Sequence, residues 1–121
     1  MRRFVLGVMM LGTTMISKGQ DILSATQYNH GVVTASGSKI NHEKLRAGKL
    51  RWVALSRELI KKYPFGTVLV VKSEKYPELN GEWIVKDKMG PKHKSCIDFL
   101  IARGKSKLGR TRVEIRKKDV E

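Results

Sequence analysis

At least six short β-prone runs and a single short helical run share about 100 residues of this 121-residue chain. The runs are Ala25–Val33, Arg51–Leu55, Thr67–Lys72, Glu82–Asp87, Cys96–Ile101 and Arg110–Arg116. A parallel βαβ sheet needs a crossover of a dozen or more residues, usually a helix, between successive strands. Only one segment here has helical character. The pattern therefore predicts a mainly β domain closed into a small barrel, with one or two short helices.

Local signals set the boundaries. Ser56 to Tyr63 fits a short helix, with the Ser56 hydroxyl as its expected N-cap. Pro64 ends it by biasing Tyr63 away from helical angles. Asn80-Gly81 is a hairpin signal. Along the following strand Trp83, Val85 and Asp87 fall on one face, because side chains alternate. In the last strand Val113 and Ile115 oppose Arg112, Glu114 and Arg116. The polar, Lys-rich segment Ser38 to Leu50 reads as a long loop. The domain is expected over 21–121, with its core at about 22–117 and a polar tail from Lys118.

The N-terminus reads as a separate element. Met1-Arg2-Arg3 is basic, Phe4 to Ile16 is apolar, and Ser17-Lys18-Gly19-Gln20 is small or polar. This order describes a secretory signal peptide over residues 1–20, cut near Ser17 to Asp21. The apolar run is short for a spanning helix. The reading is an exported protein, periplasmic or secreted, with no stable membrane insertion after cleavage. No Cys follows the run, so no lipid-attachment site is expected there.

Charge narrows the partner. Twenty-five Lys and Arg stand against 11 Asp and Glu, a formal net charge of +14. Without Arg2, Arg3 and Lys18 about +11 remains, a field that gathers anionic polymers and weakens with salt. Nucleic acid, anionic lipid and carboxylate-rich wall polymer all fit the charge. Export argues against nucleic acid. The lone Cys96 excludes an internal disulfide, and its apolar run predicts a small buried hydrophobe.

Two aspartates stand out. Asp87 ends a strand after Trp83 and Val85. Asp98 lies between Ile97 and Phe99. An unpaired carboxylate among apolar neighbours is costly to ionise, and desolvation raises its pKa toward that of a general acid. Pairing with Lys or with backbone amides is the structural alternative for each. His30, His42 and His93 are scattered without ligand spacing, so no metal and no cofactor is expected. Tyr28, Tyr63, Tyr76 and Trp52 could stack on sugar rings, although Trp52 and Trp83 also suit a core. Lys86, Lys88, Lys92 and Lys94 surround the acids in sequence.

The order of segments resembles that of double-psi β-barrel domains of bacterial cell-wall proteins. TASGSKI (34–40) resembles their early T-A-S/N-G turn, and PFGT (64–67) their P-F/L-G-T turn. DKMGP (87–91) resembles the D-x-G-G or D-R-G-P segment with one extra residue. Ile97-Asp98 resembles the later I-D motif, and Gly109-Arg110 with Val113 and Ile115 the closing strand. Two families share this order: the three-aspartate domain, found at the catalytic end of membrane-bound lytic transglycosylase A, and rare lipoprotein A. The resemblance spans roughly Gln27 to Arg116. It implies a six-stranded double-psi β-barrel acting on peptidoglycan glycan strands.

In the lytic members one aspartic acid protonates the glycosidic oxygen, then takes a proton from a sugar hydroxyl to close an anhydro ring. By position Asp87 is the implied acid/base, with Asp98 supporting or sharing that work. Thr34, Ser36, Gly37, Lys88 and Gly90 are the implied substrate contacts. One departure matters. Where the first family aspartate is expected, this chain has Ser56, which cannot supply a proton or a charge at neutral pH. Two readings therefore stand together: a lytic transglycosylase-type glycan lyase, and a non-catalytic, expansin-like peptidoglycan- or polysaccharide-binding barrel. A monomer is expected.

Overall fold

The computed structural model describes residues 20–105 and 107–119. Residues 1–19 of the expected signal segment 1–20 lie outside the described residues, and Gln20, its last residue, is the first residue of a strand. The strands are β1 (Gln20–Tyr28), β2 (Trp52–Leu55), β3 (Val68–Lys72), β4 (Gly81–Lys88), β5 (Cys96–Leu100) and β6 (Thr111–Lys117). Two short helices, α1 (His42–Arg46) and α2 (Arg57–Ile60), and a 3-10 turn at Pro77–Leu79 connect them. No helix among the described residues is long and apolar enough to cross a membrane.

The six strands close in the order β1-β5-β2-β4-β3-β6. Two contacts are parallel, β1 with β5 and β2 with β4, and the other four are antiparallel. This is the mainly β, closed six-stranded double-psi barrel with short helices that the segment order predicts. Closure leaves no free sheet edge.

Alternation fills the barrel. Val53, Leu55, Leu69, Val85, Ile97, Phe99 and Ile115 have no exposure at all. Trp83 packs edge-on against Phe99, with ring centroids 4.8 Å apart. Its Nε1–H donates to the Leu79 carbonyl at 2.8 Å, so the indole buries no orphan donor. The Arg51 guanidinium covers its other side, 4.0 Å from the ring centroid. A second, smaller cluster of Ile40, Leu45, Leu100 and Ala102 lies on the outer side of β5, with Tyr28, Leu50 and Trp52 packed against it.

Several local expectations need correction. The first strand begins and ends five residues earlier than its sequence signal, at Gln20 and Tyr28. Ser38 to Leu50 is not all loop. Asn41 Oδ1 accepts from Lys44 N at 3.0 Å and starts α1, whose Leu45 is buried. Ser56 precedes α2 but makes no side-chain cap. It is fully buried, and its Oγ accepts from Cys96 N at 3.1 Å. Cys96 is half-exposed rather than buried, and its thiol donates to the Lys94 carbonyl at 3.0 Å. Tyr63 is core rather than a surface aromatic. It is 1% exposed, and its hydroxyl donates to Asp21 Oδ2 at 2.5 Å. The Asn80-Gly81 pair closes the β3–β4 loop instead of forming a two-residue turn. Asn80 Oδ1 accepts from Ser73 N at 2.6 Å across that loop.

Candidate functional site

The strand register brings the two aspartates together. On β2, Ala54 pairs with Asp98 of β5 on one side and with Asp87 of β4 on the other. On β1, Thr26 pairs with Asp98. Thr26, Asp98, Ala54 and Asp87 thus form one row across four adjacent strands. At about 4.8 Å per strand, the aspartate backbones stand roughly 10 Å apart.

This row lies on the outside of the barrel. Ile97 and Phe99, the neighbours that made Asp98 look interior, point inward and are fully buried. Asp98 points the other way. Asp87 reaches the same face through a register shift. Val53 pairs with Val85, but Ala54 pairs with Asp87, so Lys86 is an extra residue. Simple alternation would have continued Trp83 and Val85 into Asp87 on the core side. The bulge re-aims the strand end, as bulges do.

Loops build walls around the row. A shallow groove of about 220 Å³ is lined by Tyr28, His30, Asp87, Lys88, His93 and Asp98, with Ala54, Met89 and Gly90 completing it. One wall, Met89 to Ser95, is pinned by α2. Arg57 Nε donates to the Met89 carbonyl at 3.1 Å, and Glu58 accepts from Ser95 N at 2.6 Å. The T-A-S-G turn lies behind Asp87. Ala35 N donates to Asp87 Oδ1 at 2.9 Å, Lys88 N donates to the same oxygen at 2.9 Å, and Ser36 N donates to the Lys86 carbonyl at 3.1 Å. These contacts fix the orientation of the Asp87 carboxylate.

Of the implied substrate contacts, Lys88 and Gly90 line the groove. Thr34 is buried at 4% exposure, and its hydroxyl is engaged with Ser36 and Ser38. Gly37 adopts φ +87°, which the turn requires and L side chains resist. Thr34, Ser36 and Gly37 therefore shape the turn that holds Asp87.

The electrostatics separate the two acids. Burial in the groove raises the Asp98 pKa above 3.8. A hydrogen bond from Thr26 Oγ1, 2.8 Å from Asp98 Oδ1, pulls the other way, as do His93 and His30, while the Asp87 charge adds to the rise. Tyr28 sits beside both acids. Burial, then the charges of Asp87 and Asp98, push its phenol pKa up, so it remains a proton-bearing hydroxyl. That hydroxyl has no hydrogen-bond partner among the described residues, and the Tyr28 ring meets His30 edge-on at 6.3 Å. His30 and His93 share the groove, whereas His42 is spent on the Gly31 carbonyl at 2.9 Å. No group of three or more potential metal ligands occurs among the described residues. Trp52 is half-buried on the same outer face, two residues from Ala54, with Lys86 Nζ 5.3 Å above its ring. Thr26 and Ala54 are the site residues that sequence reasoning missed. Only strand pairing reveals them.

A second hollow, of about 240 Å³, lies between α1 and the 3-10 turn and contains none of the expected site residues.

The chain matches no protein-family model and no curated protein sequence. Solved structures share its fold. One is the apo crystal structure of an expansin from Clavibacter michiganensis, with TM-score 0.57 and 14% identity over 83% of this chain. Another is an aspartate-to-asparagine mutant of Clavibacter michiganensis expansin in complex with cellohexaose, with TM-score 0.56 and 15% identity over 83% of this chain. The chain spans about half the length of these structures, 50% of each. At such identity the likeness concerns the fold, the same double-psi barrel.

Proposed function

We propose that this chain is an exported polysaccharide-binding barrel that holds a glycan strand in the groove between Asp87 and Asp98. The observation that carries the proposal is the row Thr26, Asp98, Ala54 and Asp87 on the outer face, walled by Tyr28, His30 and His93. Fixed acceptors, a hydroxyl donor and flat rings suit sugar hydroxyls and ring faces. The expansin mutant that shares this fold over half of its length crystallises in complex with cellohexaose. The net charge of about +11 left without Arg2, Arg3 and Lys18 favours a carboxylate-bearing polymer such as peptidoglycan over a neutral one.

A second reading, glycan cleavage, rests on Asp98. Its raised proton affinity and its Thr26 partner suit a general acid better than the doubly amide-bound Asp87 oxygen does. Against this reading, Ser56 stands where the resemblance implies a third aspartate, and its hydroxyl is committed to the Cys96 backbone.

One experiment separates the readings. Purified sacculi are incubated with the protein, then bound protein and released anhydro-sugar fragments are measured. Binding without release supports the binding barrel. Release that Asp98→Asn abolishes and that leaves binding intact establishes cleavage. No retention on sacculi or on cellulose at moderate salt removes both.

A further inference from the structure

Beyond Asp98 the outer face continues onto β1. Thr26, which donates to Asp98, lies on β1, and Ser24 lies two residues away on the same face, about 7 Å along the strand. Across the next contact Ser24 pairs with Arg112 of β6. An open trough of about 430 Å³ begins there, lined by Ser24, Arg110, Thr111 and Arg112. It shares Thr111 and Arg112 with a neighbouring hollow of about 340 Å³ whose edge carries Lys72 and Lys75.

The charges in this trough are unequally spent. Glu114 accepts from the Gln20 amide and pairs in register with Lys72, and Glu74 lies at the hollow's edge. Lys75 Nζ donates to the Arg110 carbonyl at 3.2 Å. The guanidinium groups of Arg110 and Arg112, both exposed, have no hydrogen-bond or ion-pair partner among the described residues. Two free planar forks beside two hydroxyls match a carboxylate, which Arg can hold through two parallel hydrogen bonds.

Building on the glycan-groove reading, we infer that Arg110 and Arg112 form a carboxylate subsite that continues the groove across β1. The ligand class is an acidic polysaccharide. Its sugars lie along the Asp87–Asp98 row, and a carboxylate substituent reaches the trough. The aspartate row repels anions, whereas this end attracts them. The two ends therefore also give the strand a direction.

Carboxymethyl cellulose and cellulose oligosaccharides share a backbone and differ in carboxylates, so their binding by the protein is compared at fixed salt. The expected result is tighter binding of the carboxymethylated chain, reduced about tenfold or more by the double variant Arg110→Gln, Arg112→Gln, with neutral-chain binding unchanged. Lys44→Gln with Lys49→Gln removes the same charge elsewhere and should weaken binding by only about twofold. Equal losses from the two double variants would overturn the subsite in favour of a diffuse field. Equal wild-type affinity for the two chains would overturn the subsite and leave the glycan groove standing. Failure of the wild type to bind either chain would remove the groove and the subsite with it. Circular dichroism of each variant guards against loss of fold.

Discussion

Asp87 and Asp98 are register partners of the same residue, Ala54, one through a parallel pairing and the other through an antiparallel one. The two lie on strands that are consecutive in sequence but not adjacent in the barrel. Their common face depends on a mixed barrel in which β2 is flanked by β4 and β5. Each residue of the row can be tested separately.

Asp98 should make stability depend on pH. Burial lifts its folded pKa above 3.8. The folded state therefore holds this proton more tightly than the unfolded chain does. That contribution is fully present below the unfolded value and is lost as pH rises through the raised folded value. Asp98→Asn abolishes the loss. Urea midpoints of the variant should gain on wild type as pH rises above about 4. Thr26→Val, which deletes the hydroxyl donor, should raise the proton affinity of Asp98 further, as read by carboxyl-carbon NMR titration. A constant stability difference across the range would refute the desolvated carboxylate.

Asp87 should act as a brace for the T-A-S-G turn. Asp87→Ala removes the acceptor of the Ala35 and Lys88 amides. The expected cost is about 1–3 kcal/mol, with faster amide exchange at Ala35. Asp87→Asn keeps an acceptor oxygen and should cost less than about 1 kcal/mol. Equal effects of the two variants would show that charge, not the acceptor, holds the turn.

Ser56 should tolerate neither loss nor enlargement. Ser56→Ala removes, at a fully buried side chain, the acceptor of the Cys96 amide and should cost about 1–3 kcal/mol. Ser56→Asp, which would restore the aspartate implied by the resemblance, buries a carboxylate there and should cost about 3 kcal/mol or more. Thermal unfolding measures both. A stable, sacculus-cleaving Ser56→Asp protein would show that this position belongs to the site.

Phe99 is central to the barrel. It is fully buried against Trp83, so Phe99→Ala should cost about 3–5 kcal/mol, a large share of a small domain's stability. Chemical denaturation should place the variant near its unfolding threshold at 37 °C.

Core strands were legible in the sequence because alternation and β-branched runs are local properties. Thr67 to Lys72 and Cys96 to Ile101 are matched almost residue for residue by β3 and β5. The misreadings have nonlocal causes. β1 begins at Gln20 because Gln20 and Asp21 gain partners 95 residues or so away on β6, a gain no window detects. α1 escaped notice because its sequence, HEKLR, has a single apolar anchor, Leu45, which docks on the outer β5 cluster. Asp98 stands out in the sequence through its apolar neighbours. They are its neighbours in sequence rather than in environment, and its desolvation comes from the groove. Asp87 required the extra residue Lys86, whose effect appears only against the partner strand.

The closed order of strands also sets the order of events in folding. β1 pairs only with β5 and β6, and its contact between Thr26 and Asp98 spans 72 residues. During synthesis β1 therefore stays unpaired until β5 and β6, the last two strands of the barrel, have been made. Long loop closures of this kind slow folding and leave an adhesive edge in the meantime. Removing β6 would expose that edge permanently, whereas joining the chain near β1 to the end of β6 and cutting a surface loop should shorten the wait.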